Sequence, residues 1–537
     1  VKIMSRAPTR IGARMARPEK AYERRMKPPP HVLFPVGQAG GNQRLVKDAG
    51  LGGILEVEAN PRVCLRCKKI NILSFCSCGG HTVPRDEPQM LKINISEMLE
   101  AAKIHLGESN IPSIKGVQGM ISKIKTPEAL EKGILRAKHG IWVFKDGTIR
   151  FDLTDVPLSH FKCREIGLPI EKAILLGYTH DADGKPLTKD DQILELRVQD
   201  VIVNNRCGRY FLGVTKFIDD LLVKFYGLKP FYNAVSPEDL IGHLVVGLAP
   251  HTSAGILGRI IGYTPSQVCL AHPYWHAAKR RNCDGDEDSV MLLMDCLLNF
   301  SKHYLPERRG GLMDAPLVLS ARLNPSEIDK EAQNLDVGQV YPLALYDAAL
   351  KGASPKEVEK LMDLVSGRIG KTSQYEGFHY THSTSDINLG PTASSYKTLV
   401  SMMDKLDAQF ELGRKLRAVD VADVATKVIE SHFLPDLVGN LKRFSKQTFR
   451  CTKCGRKYRR MPLKGSCYKC GGHLTLTVYE KSVKKYLEIT KKMADKYHVS
   501  NYTKQRVLLV EQAIDSLFEN DKVKKSKLED FGLNSFM

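Results

Sequence analysis

Residues 282–289, Asn-Cys-Asp-Gly-Asp-Glu-Asp-Ser, set four carboxylates within five positions directly behind the basic triplet Lys279-Arg280-Arg281. Like charges this close disfavour joint ionisation unless a cation compensates them. Hard divalent ions such as Mg²⁺ take oxygen ligands and share them with substrate phosphates. In an extended segment residues two apart face one side, so Asp284 and Asp286 can converge on one ion, with Gly285 allowing a tight bend between them. Val290, Leu293, Met294, Leu297, Leu298 and Leu305 follow at helical spacing, with Asp288 or Ser289 as the N-cap. This spacing predicts an acidic loop at a helix N-terminus, where the macrodipole also favours anions.

Two other readings compete. An acidic run is commonly a solvated loop. A calcium loop also begins D-x-D-x-D, but it needs glycine at its sixth position, and here that position is Ser289, followed by apolar residues.

The partner implied by charge is a polyanion. The 537 residues are 42% hydrophobic and 26% charged, enough for several packed domains. Lys and Arg number 80 against 60 Asp and Glu, a net charge of +20 and a pI near 9.3. Residues 1–30 carry nine basic side chains against two acidic ones, and residues 441–460 carry nine against none. No apolar run approaches the ~20 residues of a membrane span, and no signal peptide is evident. The thirteen cysteines, mostly in CxxC-type pairs, suit metal sites in a reducing, cytoplasmic setting. The chain opens on Val1 inside an arginine-rich segment, as a fragment or processed product would.

Cys451-x2-Cys454 and Cys467-x2-Cys470 can present four thiolates to one structural Zn²⁺. Gly455, Gly471 and Gly472 supply the turns, and the insert Gly455–Pro462 reads as a basic hairpin. A redox CxxC is the alternative. Cys64-x2-Cys67 with Cys76-x-Cys78 is a contracted version, in which His81 could replace a cysteine and free thiols are the competing reading. Cys163, Cys207, Cys269, Cys283 and Cys296 stand singly and read as buried small residues.

The elements that must position these groups divide into a basic N-terminal arm with short strands (1–60), a zinc-binding module (61–82), a β-rich region (83–250), a region holding the acidic loop (251–325), a mostly helical region (326–440), a zinc ribbon (441–480) and a Lys-rich helical tail (481–537). Residues 32–37 and 54–58 read as short strands around a Gly-rich turn. Residues 141–151 read as a hairpin about Asp146-Gly147, and 191–203 and 210–218 as further strands. The loop 371–385, rich in hydroxyls and rings, suits sugar–phosphate contacts, with an ordinary surface loop as its rival.

The stretches 272–289 and 304–319, the opening Arg10–Lys20 and Pro28–Pro35, and Tyr380-Thr-His382 closely resemble the C-terminal half of the large, catalytic subunit of archaeal family-D DNA polymerase. The acidic loop also resembles, more loosely, the Asn-x-Asp-x-Asp-x-Asp motif of cellular RNA polymerases. The resemblance implies a mixed α+β chain with a double-psi β-barrel core that starts within 1–60, continues through 83–250 and is catalytic in 251–325, DNA contacts from 326–440, a smaller partner subunit with 3′–5′ exonuclease activity, and a sliding clamp. By motif match Asn282, Asp284 and Asp286 fall on the metal-binding loop, with Asp288 beside them. Two departures stand out: the contracted Cys76-x-Cys78 knuckle, and the absence of an N-terminal half whose basic residues would lie upstream of Val1.

The expected chemistry is template-directed nucleotidyl transfer from dNTPs onto a DNA primer-template. Asp284 and Asp286 would hold Mg²⁺ in a two-metal arrangement, while Lys279, Arg280 and Arg281 neutralise triphosphate charge; each of the three could instead pair with the neighbouring acids. Lys525–Gly532, with Leu528 and Phe531, loosely resembles a clamp-binding box, and a frayed amphipathic terminus is its rival. An RNA-polymerase-like enzyme and a non-catalytic zinc-ribbon scaffold remain the alternative functions.

Overall fold

The structure is a computed structural model. It describes residues 25–249, 252, 254–283, 285–305, 317–380, 385–389, 392–393, 398–416, 419–452 and 456–518. These form two compact units, the first ending near residue 394 and the second running from there to 518.

The first unit is organised around a closed ring of six strands. They are β1 (Phe151–Pro157), β2 (Asp200–Asn204), β3 (Leu244–Leu248), β4 (Ala254–Thr264), β5 (Cys269–Ala271) and β6 (Glu287–Leu292). The ring runs β3-β6-β1-β5-β2-β4 and closes through β3–β4, with β7 (Val318–Ser320) added to the outer side of β4. Pairings β2–β4, β1–β5 and β4–β7 are parallel and the others antiparallel. The fold is thus mixed α+β around a barrel whose strands come from both sides of residue 250.

Strand composition explains the closure. In β2 every residue is buried, as are all of β6 except Glu287, so these strands are covered on both faces and read as continuous apolar runs. Helix α1 (Asn205–Asp220) packs Phe211, Val214, Phe217 and Ile218 into the same core. Helix α2 (Pro273–Ala278) drives Trp275 against the barrel, where the glycines at 247 and 258 let the indole approach the strands closely. A Cβ at Gly258 would lie 3.1 Å from Trp275 Nε1, and one at Gly247 would overlap the indole ring.

Between β1 and β2 the segment 158–196 builds a satellite core of its own around Phe161, Cys163, Leu168, Tyr178 and Leu194. The Tyr178 hydroxyl ties it to the barrel by donating to Asp200 of β2, a carboxylate that Arg259 of β4 holds at Nε–Oδ1 2.8 Å and Nη2–Oδ2 2.7 Å. Upstream, the region 25–150 is organised by a buried Arg136–Glu128 pair at 2.8 and 2.7 Å. Arg136 also donates to the carbonyls of His31 and Gly147.

The second unit is helical. Met402–Lys415, Val421–Val428, Leu434–Lys446, Leu487–Lys496 and Asn501–Phe518 enclose Leu406, Phe410, Ile429, Leu434, Met493 and Val507, and a small three-stranded ribbon packs around Cys451, Cys467 and Leu474. Among the described residues no helix is long and apolar enough to cross a membrane.

Three sequence expectations are corrected. The helix anticipated from Val290 is strand β6 followed by the shorter helix α3 (Leu293–Asn299), so Asp288 is a strand residue and not an N-cap. Residues 210–218 belong to α1, because their apolar positions face the barrel at helical period. Residues 141–150 keep the turn at Asp146-Gly147, with Phe144 and Thr148 bonded across it, but form no strand ladder.

Candidate active site and cysteine centres

Strand β5 ends just before His272, whose Nδ1 accepts from Tyr274 N at 3.1 Å and caps α2, with Pro273 at the first helical position. The helix stops after six residues because Arg280 takes φ +58°, in the left-handed region. Cys283 at φ +56° and Gly285 at φ +93° curl the chain again before β6. Two non-glycine residues in this region cost of order 1–3 kcal/mol each and persist only where the surroundings hold them. The curl brings Asn282, Cys283, Gly285 and Asp286 into one turn directly above β1, where Asp155 N donates to Asp286 O at 3.0 Å. Asp284 lies outside the described residues.

The basic triplet splits into three environments. Arg280 is exposed, as is Asn282. Arg281 Nη1 lies 3.7 Å from Asp286 Oδ2, both side chains partly open to solvent. Lys279 instead points inward. It is 1% exposed, ion-paired with the equally buried Asp288, and its Nζ sits 3.3 Å from the Trp275 ring centroid. Lys279 and Asp288, anticipated at the triphosphate and at the metal, therefore face each other in the interior, because β6 begins at Glu287 and turns the next side chain into the barrel. His276 completes this group, with Nε2 3.1 Å from Val156 O and Nδ1 3.9 Å from Asp288 Oδ2. Burial opposes the Asp288 charge, yet the adjacent Lys279 ammonium and His276 hold its carboxyl below the usual range. Burial lowers the pKa of His276 and drives that of His272 down to about 3, so the His272 imidazole stays neutral.

The loop anticipated at 371–385 packs against this assembly. Phe378 meets the His272 ring at 4.7 Å and Tyr274 at 5.6 Å, and the Tyr274 hydroxyl donates to Gln374 O at 3.0 Å. Glu195 accepts from Gly377 N and Phe378 N at 3.1 and 2.9 Å, pinning the loop to the satellite module. Its residues 381–384 lie outside the described residues. Sequence reading missed Trp275, His276 and Glu195. The only local signal was aromatic and imidazole density in 272–276, and Glu195 acts across a distance in sequence that no local pattern reports.

Both cysteine groups were anticipated from spacing. The Sγ atoms of Cys64, Cys67, Cys76 and Cys78 all lie within 4.8 Å of one another, with Cys64–Cys78 and Cys67–Cys76 at 3.5 Å. Tetrahedral Zn–S bonds of ~2.3 Å place sulfurs roughly 3.8 Å apart, so the contracted knuckle still fits zinc. Cys451, Cys467 and Cys470 gather likewise, with Cys451–Cys470 at 3.4 Å; Cys454 lies outside the described residues. Of the single cysteines, Cys163, Cys207, Cys269 and Cys296 are buried and Cys283 is half-buried.

Three family models match the chain. Residues 107–405 match the catalytic domain of the DNA polymerase II large subunit DP2, residues 1–97 its central domain, and residues 445–501 the zinc finger domain of DNA polymerase-epsilon. The DNA polymerase II large subunit of Methanocella arvoryzae is 56% identical over 99% of the chain and 50% of its own length. Those of Methanococcoides burtonii and Archaeoglobus fulgidus are 52% and 51% identical over 98% and 99% of the chain, and 49% of each relative. The chain spans about half the length of these relatives. With the barrel and its acidic turn inside the catalytic-domain match, the chain belongs to the family of the DNA polymerase II large subunit DP2.

Proposed function

We propose that the chain carries the nucleotidyl-transfer centre of a DNA-directed DNA polymerase, as the C-terminal half of a family-D large subunit that extends a primer-template with dNTPs. The observation that carries this reading is the match of residues 107–405 to a polymerase catalytic domain, a span that encloses the six-stranded ring and the acidic turn. The mixed parallel and antiparallel closure of that ring supports a double-psi β-barrel.

In this reading Asp284 and Asp286 hold Mg²⁺, which when bound supplies Lewis-acid stabilisation of the transferring phosphoryl group. Asn282 and Arg280, exposed on the same turn, contact the incoming triphosphate, and Arg281 exchanges its Asp286 contact for phosphate oxygens. The barrel holds the turn rigidly, so reacting groups meet a preorganised charge distribution. The two cysteine groups hold structural Zn²⁺ and keep their ribbons folded; a closed thiolate site has no open position for chemistry. The basic arm 1–30, the loop 371–385 and the ribbon 441–480 grip DNA. The partners are a smaller exonuclease subunit and a sliding clamp reached through Lys525–Gly532, which lies outside the described residues, and the setting is cytoplasmic. The regional division at 60, 82, 250, 325, 440 and 480 is part of this reading, with barrel strands in both its third and fourth regions.

The test is primer extension by the full-length large subunit assembled with its partner, with and without Mg²⁺, offering dNTPs and NTPs in parallel. Asp284→Ala and Asp286→Ala each abolish extension while duplex binding persists. Near-normal extension by either variant rejects the assignment, and preferential NTP incorporation favours an RNA-polymerase-like enzyme.

A further inference from the structure

We propose that Lys279 and Asp288 are positioning residues whose buried ion pair clasps the acidic turn at its base and holds the partly exposed Asp286 carboxylate in place. The inference rests on the polymerase reading above and deepens it. Lys279 closes α2 and Asp288 is the second residue of β6, so the pair bridges the two points where the turn leaves and re-enters the barrel. Both side chains are 1% exposed, whereas the turn between them is open at Arg280, Asn282 and Gly285.

Each partner is fixed from several sides. The Lys279 ammonium lies on the Trp275 face, and its stem runs past Gly247, where the missing Cβ leaves it room. Asp288 Oδ1 accepts from Ser289 N at 2.9 Å, which leaves Oδ2 toward Lys279 and His276. A carboxylate so oriented is unavailable to an ion bound on the outer side of the turn. The rule that sets residues 286 and 288 on one side applies within a strand, and β6 begins only at Glu287. The turn also contains two left-handed non-glycine residues, Arg280 and Cys283, and such a conformation needs support that its own backbone does not supply.

A buried pair of this kind has a distinctive genetic signature. Removing one partner strands a charge in the interior, whereas removing both leaves a neutral site. The discriminating set is Lys279→Met, Asp288→Asn and the double variant in the full-length, partner-assembled enzyme. Primer-extension rate is measured against Mg²⁺ concentration, alongside primer-template affinity and thermal unfolding. Each single variant should lower kcat by about 100-fold, the effect of a small misplacement of catalytic groups, and raise the half-saturating Mg²⁺ concentration at unchanged duplex affinity. The double variant should recover to within about tenfold of wild type, a strong positive coupling.

If the double variant is as defective as the product of the singles, the two residues act separately on metal and triphosphate and the clasp is wrong. Near-normal catalysis by Lys279→Met alone also overturns it. Should the singles not fold, the double variant decides: a folded, DNA-binding double variant slower than wild type by more than about 100-fold refutes the proposal. Should wild-type enzyme not extend primers with Mg²⁺, the polymerase reading fails instead, and the clasp is judged on the unfolding cycle, where additive single losses would sink it.

Discussion

The tightest link between barrel packing and the acidic turn runs through Gly247, a strand residue with no chemistry of its own. It sits opposite Val290 of β6 and beneath the indole of Trp275. An alanine Cβ there would lie 3.0 Å from Lys279 Cδ and closer still to Trp275 Cζ2 and Cη2. Ordinary carbon contacts are ~3.5–4.0 Å, so the ring must retreat by about an ångström. It cannot simply swing aside, because Trp275 Nε1 donates to Leu257 O at 3.2 Å and the other flank faces Gly258. Overpacking of this degree costs ~1–3 kcal/mol of stability. The displaced ring carries Lys279 with it, and a shift of about 1 Å at the base of the turn lowers kcat by about 100-fold. Thermal unfolding and Mg²⁺-dependent primer extension of Gly247→Ala measure the two effects together. Gly258→Ala, whose Cβ would approach only to 3.1 Å from Trp275 Nε1, should be milder in both. A Gly247→Ala enzyme with unchanged melting and unchanged Mg²⁺ response would refute the coupling between Trp275 packing and the turn.

Other outcomes follow from the same geometry. Zinc analysis of the intact chain should find about two equivalents, and Cys76→Ser should lower this to about one, since the four clustered sulfurs form one tetrahedral set. Glu128→Gln should destabilise the first unit by ~3–5 kcal/mol in denaturant titration, because it strands the Arg136 guanidinium in the core. His272 is buried and its pKa lies near 3 in the fold against 6.5 in the unfolded chain. The unfolded state therefore binds the extra proton, and stability falls as pH drops below about 6.5, by up to ~1.4 kcal/mol per pH unit from this group. His272→Asn keeps an acceptor at the helix cap and should flatten that acid limb in chemical denaturation at stepped pH.

Much of the site was legible because its chemistry is local. The cysteine pairs report their clustering through residue type and spacing alone. What escaped was set by tertiary partners. Val290–Leu293 is a continuous apolar run, and periodicity cannot separate a strand buried on both faces from the first turn of a helix. Tyr210, Phe211 and Val214 have strand propensity, yet the barrel wall selects a helix there. The inward turn of Lys279 and Asp288 depends on where β6 begins, which no spacing within 279–289 encodes. The closure of the ring, with Leu153 beside Asp288, is a pairing across most of the barrel's sequence.

That long-range pairing governs when the centre can come into being. Strand β6 is inserted between β3 and β1, yet it is the last of the six to be synthesised. Until it docks, the ring is a gapped sheet with two open edges, and the acidic turn is anchored only at its α2 end. Distant pairings of this sort pay their loop-closure cost before any contact repays it, so they form slowly and late. Closure of the barrel therefore waits on its last-made strand, and the base of the acidic turn takes its place only once Glu287–Leu292 has docked.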